Sequence, residues 1–341
     1  MSEINRQWIF SKRPSGPVDD STFEYRESPR PEANVEAGEV LVKNLYLSFD
    51  PAMRGWMDDK PSYLPPVAIG EPMRASGIGQ VIESSRPDLP EGSLVMGFLN
   101  WQEYALLDSN NAAQLHVLPE GTPPAMALSA FGGTSMTAYF GLLEVGRPKP
   151  GDTVLVSGAA GATGSVVCQI AKLKGCKVIA IAGSVEKCQW LKDDCGVDET
   201  INYREEDVAA RLAELAPMSI NVFFDNVGGS ILEAGISQMA DHGSIALCGA
   251  ISAYNDLEPT PGPNNLMILV ARRIRMEGFI MLDYLSRLDE FNTEFGTWFM
   301  EGKIKTREDI QQDFANIPAT LSRLFAGKNS GKQLLKLADP R

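Results

Sequence analysis

Histidine is nearly absent from this 341-residue chain, and cysteine is sparse and irregularly placed. The two histidines, His116 and His242, have no metal-ligand spacing, and none of the five cysteines forms a C-x-x-C pair. These absences argue against a zinc site, a Ser-His-Asp hydrolase and a disulfide-stabilised secreted domain. We therefore expect reduced thiols in a reducing compartment, and no bound metal.

Long apolar runs and excess positive charge are also lacking. No segment approaches membrane-spanning length, and the N-terminus MSEINRQWIFSKRP has no apolar signal region. A formal net charge of -13 disfavours nucleic acid and anionic membrane surfaces as partners. With 44% apolar and 22% charged residues, the composition predicts a cytoplasmic globular protein that is long enough for two domains.

Two patterns of secondary structure divide the chain. Up to about residue 128, short β-like runs such as EVLVKNLYLS, SGIGQVIES, GSLVMGF and WQEYALL alternate with Pro, Gly and Asn. This pattern is typical of a compact, partly open β-barrel. A helical segment, TSMTAYFGLLEVG, then leads into alternating strands and helices, which predict an α/β doubly wound parallel sheet. After Gly302, a helix over 318–325 and the strand-like QLLKLAD are expected to return to the first domain.

The elements of this second domain can be placed from apolar periodicity. Strands are predicted near 153–157, 177–182, 199–201, 220–225, 244–248 and 275–280. Helices are predicted near 164–174, 186–195, 205–216, 229–240 and 265–272.

A glycine-rich turn between the first strand and its helix indicates phosphate binding. The segment TVLVSGAAGATG (153–164) departs from strict G-x-G-x-x-G because Ala159 stands at the first glycine position. Gly161 would let the backbone approach a pyrophosphate, and Gly164 would let the helix pack closely on its strand. Glycine-rich loops also serve as plain turns, so this motif alone leaves both readings open.

The end of the second strand indicates which dinucleotide is bound. A site that prefers NAD usually has an Asp or Glu there, whereas this chain has Gly183 and Ser184. This small neutral pair, followed by Lys187, would accept a 2′-phosphate, and Tyr203 and Arg204 could add a hydroxyl and a second cation. The pattern favours NADP(H) over NAD(H), although Lys187 as a solvated helix residue is the plain alternative.

Small-residue loops follow the fourth and fifth strands, at the strand ends where open α/β sheets bind ligands. Asn226 in DNVGG and the backbone at Gly249 and Ala250 in CGAISAYN are candidates to line the nicotinamide half. Tyr254 carries a hydroxyl that is protonated at neutral pH, so it could hydrogen-bond a carbonyl oxygen that gains charge. Two ordinary turns and a packed tyrosine are the alternatives.

In this order the motifs resemble the zinc-independent medium-chain dehydrogenase/reductases, in the branch of leukotriene 12-hydroxydehydrogenase, prostaglandin, curcumin and alkenal double-bond reductases. The resemblance rests on NLYLSFDPAMRGWM, on the stretch from TAYFGLLEVG to KLKGCKV, and on AGSVEK, INY, FFDNVGG, CGAISAYN and GKNSGKQLLKL. It implies a GroES-like catalytic domain (1–128 with 306–341), a Rossmann NADP-binding domain (129–305) and a homodimer.

The resemblance also implies residue roles. Cofactor contacts would be made by Gly161, Ala162, Thr163, Gly164, Gly183, Ser184, Lys187, Tyr203, Asn226, Cys248, Gly249, Ala250, Ile251, Tyr254, Phe279, Ile280, Met281 and Asn329. Substrate would be lined by Tyr63, Asn100 and Trp101.

The implied reaction is the NADPH-dependent reduction of the C=C bond of an α,β-unsaturated ketone or aldehyde. Hydride would reach the β-carbon, and Tyr254 would stabilise the enolate. Two segments depart from the family pattern, GGTSMTAYF and the loop over 58–72, and they leave the substrate open. A quinone reductase and a non-catalytic NADPH-binding protein are the alternatives.

Overall fold

The computed structural model describes residues 4–19, 21–256, 258 and 260–340. It divides into two units, a first unit of Met1–Leu128 with Glu308–Arg341 and a second unit of Ser129–Arg307. Within the described ranges, no helix is both long enough and apolar enough to cross a membrane.

The secondary structure comprises strands and helices that are numbered here in chain order. The strands are β1 (Ile4–Phe10), β2 (Phe23–Pro29), β3 (Val40–Ser48), β4 (Ser76–Glu83), β5 (Leu94–Phe98), β6 (Tyr104–Leu107), β7 (His116–Val117), β8 (Thr153–Val156), β9 (Lys177–Ala182), β10 (Glu199–Asn202), β11 (Ile220–Asp225), β12 (Met239–Leu247), β13 (Arg275–Gly278), β14 (Glu308–Gln312) and β15 (Lys332–Lys336). The helices are α1 (Ala52–Trp56), α2 (Ser109–Ala112), α3 (Pro124–Ala130), α4 (Gly133–Phe140), α5 (Ala162–Leu173), α6 (Val185–Asp193), α7 (Val208–Leu215), α8 (Gly229–Ser237), α9 (Met267–Arg272), α10 (Leu288–Met300) and α11 (Ile317–Phe325).

The first unit is built around β3, which is buried along most of its length. One edge of β3 pairs antiparallel with β4, and the other edge pairs with β6 and then with β15. Strands β1 and β2 form a separate antiparallel pair. The prediction of a β-domain of short strands is therefore confirmed, although the sequence pattern did not predict β1, β2 or β14.

The C-terminal tail is anchored to β3 by a largely buried ion pair as well as by strand pairing. Nζ of Lys332 lies 2.5 Å from Oδ1 of Asp50, and the Ser48 hydroxyl donates to Oδ2 of the same carboxylate at 2.6 Å. Lys332 is only 4% exposed, so removal of Asp50 would leave an uncompensated buried charge. The pairing of Leu334 with Ser48 continues this connection as a β-ladder.

The second unit contains a six-stranded parallel sheet in the order β10-β9-β8-β11-β12-β13. This order reverses between β8 and β11, which is the arrangement of dinucleotide-binding sheets. All six predicted strands and all five predicted crossover helices are present, so the predicted doubly wound sheet is confirmed. The largest difference is at β12, which begins five residues early and includes His242, predicted to lie in a turn; its φ is +61°.

The predicted helix TSMTAYFGLLEVG ends differently from the expectation. Helix α4 stops at Phe140, and the chain continues as a π-helix over Gly141–Gly146. A Cβ atom at Gly141 would lie 2.1 Å from the Phe279 ring and 2.8 Å from the Phe224 ring. The π-helical segment therefore begins at a position where only glycine fits beneath two aromatic rings.

Candidate cofactor and substrate sites

The turn after β8 presents an open helix N-terminus. Helix α5 begins at Ala162, and Gly161 at its N-cap provides no side chain to accept the first backbone N–H groups. A Cβ atom at Gly164 would lie 2.5 Å from the Gly158 carbonyl oxygen, so the helix packs against the turn as the sequence predicted. Backbone N–H groups and the positive end of the helix dipole are thereby available to an anion such as a pyrophosphate.

A buried carboxylate, Asp225 at the end of β11, organises the neighbouring loops. Its Oδ1 accepts the Ser157 hydroxyl at 2.6 Å and the backbone N–H of Val227 at 3.1 Å. Its Oδ2 accepts the N–H of Gly228 at 2.9 Å. Burial raises the pKa of Asp225, although these hydrogen bonds act in the opposite direction. Sequence reasoning missed this residue, although an acidic side chain that ends an apolar strand was a visible signal.

Asn226 ties the same loop to the glycine-rich turn. Its Nδ2 donates to the Ser157 carbonyl oxygen at 2.7 Å, and its backbone N–H donates to the Ser157 hydroxyl at 2.8 Å. The predicted cofactor residue thus lies beside the turn after β8, but its side-chain amide N–H already has a partner. Its role toward a ligand remains a prediction.

The five residues predicted around a 2′-phosphate are brought together at the ends of β9 and β10. A Cβ atom at Gly183 would lie 2.7 Å from the Tyr203 hydroxyl oxygen, so the Tyr203 ring covers Gly183. The Arg204 guanidinium lies over the Tyr203 ring, 5.9 Å from its centroid. Ser184 caps helix α6 by accepting the backbone N–H of Lys187 at 3.3 Å.

A carboxylate that sequence reasoning missed lies in this cluster. Glu186 occupies the first turn of α6, where its own backbone N–H and the Ser184 hydroxyl lower its pKa. This carboxylate uses hydrogen-bond donors that a phosphate at the same helix end would also use. Its position in GSVEK was readable in the sequence.

Tyr254 folds back on the loop that precedes it. The Ala250 backbone N–H donates to the Tyr254 hydroxyl oxygen at 3.2 Å, and a Cβ atom at Gly249 would lie 2.9 Å from that oxygen. The hydrogen bond that the hydroxyl accepts stabilises negative charge on its oxygen. The loop is held by Ser252, whose hydroxyl donates to the Val227 carbonyl oxygen at 2.6 Å. Cys248 and Ile251 lie in the same loop.

The segment Phe279–Met281 follows β13, as predicted, but its first side chain faces the protein interior. The Phe279 ring packs edge-on against Phe224, with ring centroids 6.0 Å apart, and covers Gly141. Its contact with a ligand remains a prediction. The Met281 side chain lies 3.4 Å from the position that a Cβ atom at Gly133 would occupy. Ile280 has an extended backbone.

In the first unit, Tyr63 belongs to an exposed aromatic cluster. Nε1 of Trp56 donates to the Tyr63 hydroxyl oxygen at 3.1 Å, and the Trp56 ring meets Phe98 edge-on with centroids 6.0 Å apart. Tyr63 is 45% exposed and Phe98 is 40% exposed. The Arg74 guanidinium lies over the Trp56 ring. Sequence reasoning named Tyr63 alone. Trp56 lies seven residues before it, whereas Arg74 and Phe98 come from other segments of the chain.

Asn100 and Trp101, the other two predicted substrate residues, lie in different surroundings. Asn100 has a left-handed backbone (φ +61°) in a turn that is held by the Asn44 side chain. Trp101 is fully buried, with its ring centroid 4.7 Å from that of Phe23 and 5.7 Å from that of Phe49. The Trp101 ring is thus part of the core, and a contact between this segment and a substrate remains a prediction.

Asn329, the remaining predicted cofactor residue, lies in the first unit between α11 and β15. Its side chain is 8% exposed, and Nδ2 donates to the Gly331 carbonyl oxygen at 3.0 Å. The amide N–H group is thus engaged within its own turn. Any contact with a cofactor remains a prediction.

The parts of the chain that the structure describes contain no group of three or more His, Cys, Asp or Glu side chains that could hold a metal ion. All five cysteines are free thiols; four are buried and Cys248 is partly buried.

Comparison with known proteins yields two family models and many relatives. One model, described as the N-terminal domain of oxidoreductase, matches residues 6–115, and one described as zinc-binding dehydrogenase matches residues 162–295. The NADPH-dependent curcumin reductase of Escherichia coli is 39% identical over 98% of this chain and 97% of its own length. Prostaglandin reductase 1 of Mus musculus is 37% identical over 97% of this chain and 98% of its own length.

Solved structures agree with these sequence relationships. The crystal structure of CurA in complex with NADPH from Vibrio vulnificus has a TM-score of 0.91 and 38% identity, and the match covers 98% of this chain and 100% of that one. A quinone oxidoreductase of Pseudomonas syringae matches at a TM-score of 0.76 and 25% identity, over 97% of this chain and 99% of that one.

Proposed function

Because this chain belongs to the zinc-independent medium-chain dehydrogenase/reductases, in the branch of the curcumin, prostaglandin and alkenal reductases, we propose that it reduces the C=C bond of α,β-unsaturated ketones or aldehydes with NADPH. The observation that carries the proposal is Tyr254, whose hydroxyl oxygen accepts the Ala250 N–H in the loop after β12. The loop lies at the carboxyl end of the parallel sheet, where such sheets bind ligands.

The residues of the second unit fit NADP(H). The open N-terminus of α5 suits the pyrophosphate, with Gly161, Ala162, Thr163 and Gly164 closest to it. Gly183, Ser184, Lys187 and Tyr203 would hold the 2′-phosphate, because no acidic residue stands at the end of β9 and two cations lie nearby. Asn226, the loop from Cys248 to Tyr254 and Phe279–Met281 would complete the contacts of this unit. Asn329 of the first unit is a further predicted contact.

When bound, NADPH supplies the hydride that is added to the β-carbon. The Tyr254 hydroxyl hydrogen-bonds the carbonyl oxygen of the substrate as that oxygen gains charge. The Ala250 N–H favours this role, because it stabilises charge that accumulates on the tyrosine oxygen. Tyr63 and Asn100 of the first unit are the proposed substrate contacts.

Oxidation of NADPH and of NADH, measured with enones, enals and quinones, tests this function. We expect absorbance at the NADPH band to fall with an enone, and the product to be saturated at the C=C bond. The matching saturated ketone should give no signal. A response to quinones alone would establish a quinone reductase, and NADPH binding without turnover of any electrophile would establish a non-catalytic binding protein.

We also propose that the protein is a homodimer that uses the end of the parallel sheet formed by α9 and β13. Met267 and Val270 of α9 are 73% and 68% exposed, and β13 pairs only with β12 within the described residues. Exposed apolar side chains beside an open strand edge are typical of an interface. Light scattering should give about twice the chain mass of 37.1 kDa, and Val270→Glu should give the monomer. Met300→Glu, at an exposed apolar residue of α10, is the control; a monomeric wild type would contradict the proposal.

The domain boundaries and the compartment remain proposals. The GroES-like domain is assigned to 1–128 with 306–341 and the Rossmann domain to 129–305, which is supported by the two units of the structure. A cytoplasmic location is supported by five free cysteines, since a reducing compartment keeps thiols unpaired.

A further inference from the structure

Asp225 is a buried carboxylate without a cationic partner. The residue is 0% exposed, and the described part of the chain places no lysine, arginine or histidine within ion-pairing distance of it. The groups that donate hydrogen bonds to it are neutral, namely the Ser157 hydroxyl and the backbone N–H groups of Val227 and Gly228. Buried charges in proteins are usually paired with an opposite charge or coordinate a metal ion. The negative charge of Asp225 is therefore unbalanced, and it would attract a cationic ligand group in the neighbouring site.

The hydrogen bonds around Asp225 fit its ionised form. Each carboxylate oxygen accepts a backbone N–H, from Val227 at 3.1 Å and from Gly228 at 2.9 Å, and a backbone N–H can only donate. The Ser157 hydroxyl accepts the Asn226 N–H at 2.8 Å, so its own proton is available to Oδ1 of Asp225, 2.6 Å away. Burial raises the pKa of Asp225, but these three donors act in the opposite direction. Three donors on two oxygens favour the charged carboxylate at neutral pH.

Asp225 connects the loops that are proposed to line the nicotinamide half of the coenzyme. Asn226 follows it directly in the chain. The backbone carbonyl oxygen of Asp225 accepts the N–H groups of Cys248 at 2.9 Å and of Gly249 at 3.2 Å. Burial raises the pKa of the Cys248 thiol to about 12, and the Asp225 charge contributes to this shift. The charge thus acts on the loop after β12, because charges interact strongly over several ångströms in a protein interior of low dielectric constant.

We propose that the charge of Asp225 favours the oxidised coenzyme, so that this protein binds NADP⁺ more tightly relative to NADPH than it would without the carboxylate. The nicotinamide ring is neutral in NADPH and carries one positive charge in NADP⁺. An unbalanced carboxylate beside the site attracts only the charged ring. The inference rests on the proposed function, because it assigns a residue that tunes the coenzyme of that reaction.

The same charge assists the proposed reaction. The hydride leaves the nicotinamide ring with its electron pair and is added to the β-carbon of the substrate, and a proton added at the α-carbon completes the saturated product. The ring becomes cationic as the hydride leaves, so its attraction to Asp225 is stronger in the transition state than in the ground state. Asp225 acts by its charge from within the sheet, whereas Tyr254 is proposed to contact the substrate.

Binding of the two coenzyme forms tests the inference without turnover. Isothermal titration calorimetry gives Kd for NADP⁺ and for NADPH with the wild type and with Asp225→Asn, which keeps the shape of the side chain and removes its charge. We expect the substitution to raise the ratio of Kd for NADP⁺ to Kd for NADPH by about tenfold. A change of both values by the same factor would mean that Asp225 only supports the loops, and would overturn the inference.

Two further variants separate the charge from the loop structure. Ser157→Ala removes a hydrogen bond to the same carboxylate but keeps its charge, so both dissociation constants should change by the same factor. Asn226→Asp adds a carboxylate at the adjacent position and should lower the ratio. If Asp225→Asn does not fold, this variant decides, and an unchanged ratio would then overturn the inference. A wild-type protein that binds neither coenzyme form would overturn the proposed function instead.

Discussion

Replacing Tyr254 by Phe is expected to lower kcat for enone reduction by about 100-fold, which is the usual effect of losing one hydrogen-bond donor to a developing oxyanion. The dissociation constant for NADPH should change by less than about threefold, because the interaction is made mainly with the transition state. Steady-state kinetics with an enone, together with fluorescence titration of NADPH, measures both quantities.

The matched control for this substitution is Ser252→Ala in the same loop. Ser252 anchors the loop to the Val227 carbonyl oxygen but carries no proposed chemistry. If loosening of the loop explained the loss of rate, both variants would lose activity together. Retained turnover in Tyr254→Phe would contradict the proposed role of Tyr254 in stabilising the enolate.

The second large effect is expected on coenzyme selection. Lys187→Ala combined with Arg204→Ala should raise KM for NADPH by at least about tenfold and leave KM for NADH nearly unchanged, because a charge-assisted hydrogen bond contributes about 1.5–3 kcal/mol. The measurement is kcat/KM for both coenzymes with one enone. Equal losses for NADPH and NADH would contradict the assignment of the 2′-phosphate site.

Substitution of Glu186 is expected to change KM for NADPH in the opposite direction. Its carboxylate uses the Ser184 hydroxyl and lies in the first turn of α6, so it opposes a phosphate there. Glu186→Gln should therefore lower KM for NADPH without lowering KM for NADH. Lys192→Ala, in the last turn of the same helix, is the control for a general loss of positive charge in the variant that lacks Lys187 and Arg204.

The sequence allowed prediction of the parallel sheet because β8, β9 and β11 are short apolar runs that are each followed by a helix. Helix α10 was missed, although Phe291 and Phe295 are spaced four residues apart and are both fully buried. Its Gly296 and the flanking polar residues concealed the pattern. Strand β2 was missed because it is exposed at most positions and has no apolar alternation to detect. Its partner β1 was missed with it.

The candidate site likewise contains residues that the sequence could predict and residues that it could not. Gly164 was predictable, because the need for glycine there arises from close approach to Gly158 in the same turn, and Gly183 was predictable from the lack of an acidic residue at the end of β9. The buried position of Trp101 and the inward packing of Phe279 were not, since they depend on rings from distant segments. The cluster of Trp56, Tyr63, Arg74 and Phe98 likewise brings together side chains from different segments, and residue spacing in the sequence does not reveal such contacts.

The burial of Cys168, Cys176, Cys188 and Cys195 has a consequence for an enzyme that handles electrophilic alkenes. Such compounds alkylate thiolates by conjugate addition, and a protonated thiol reacts far more slowly. Burial raises the pKa of Cys176 to about 11 and that of Cys195 to about 12, so both thiols stay protonated at neutral pH. We therefore expect the electrophilic alkenes that the protein is proposed to consume to alkylate these two thiols slowly.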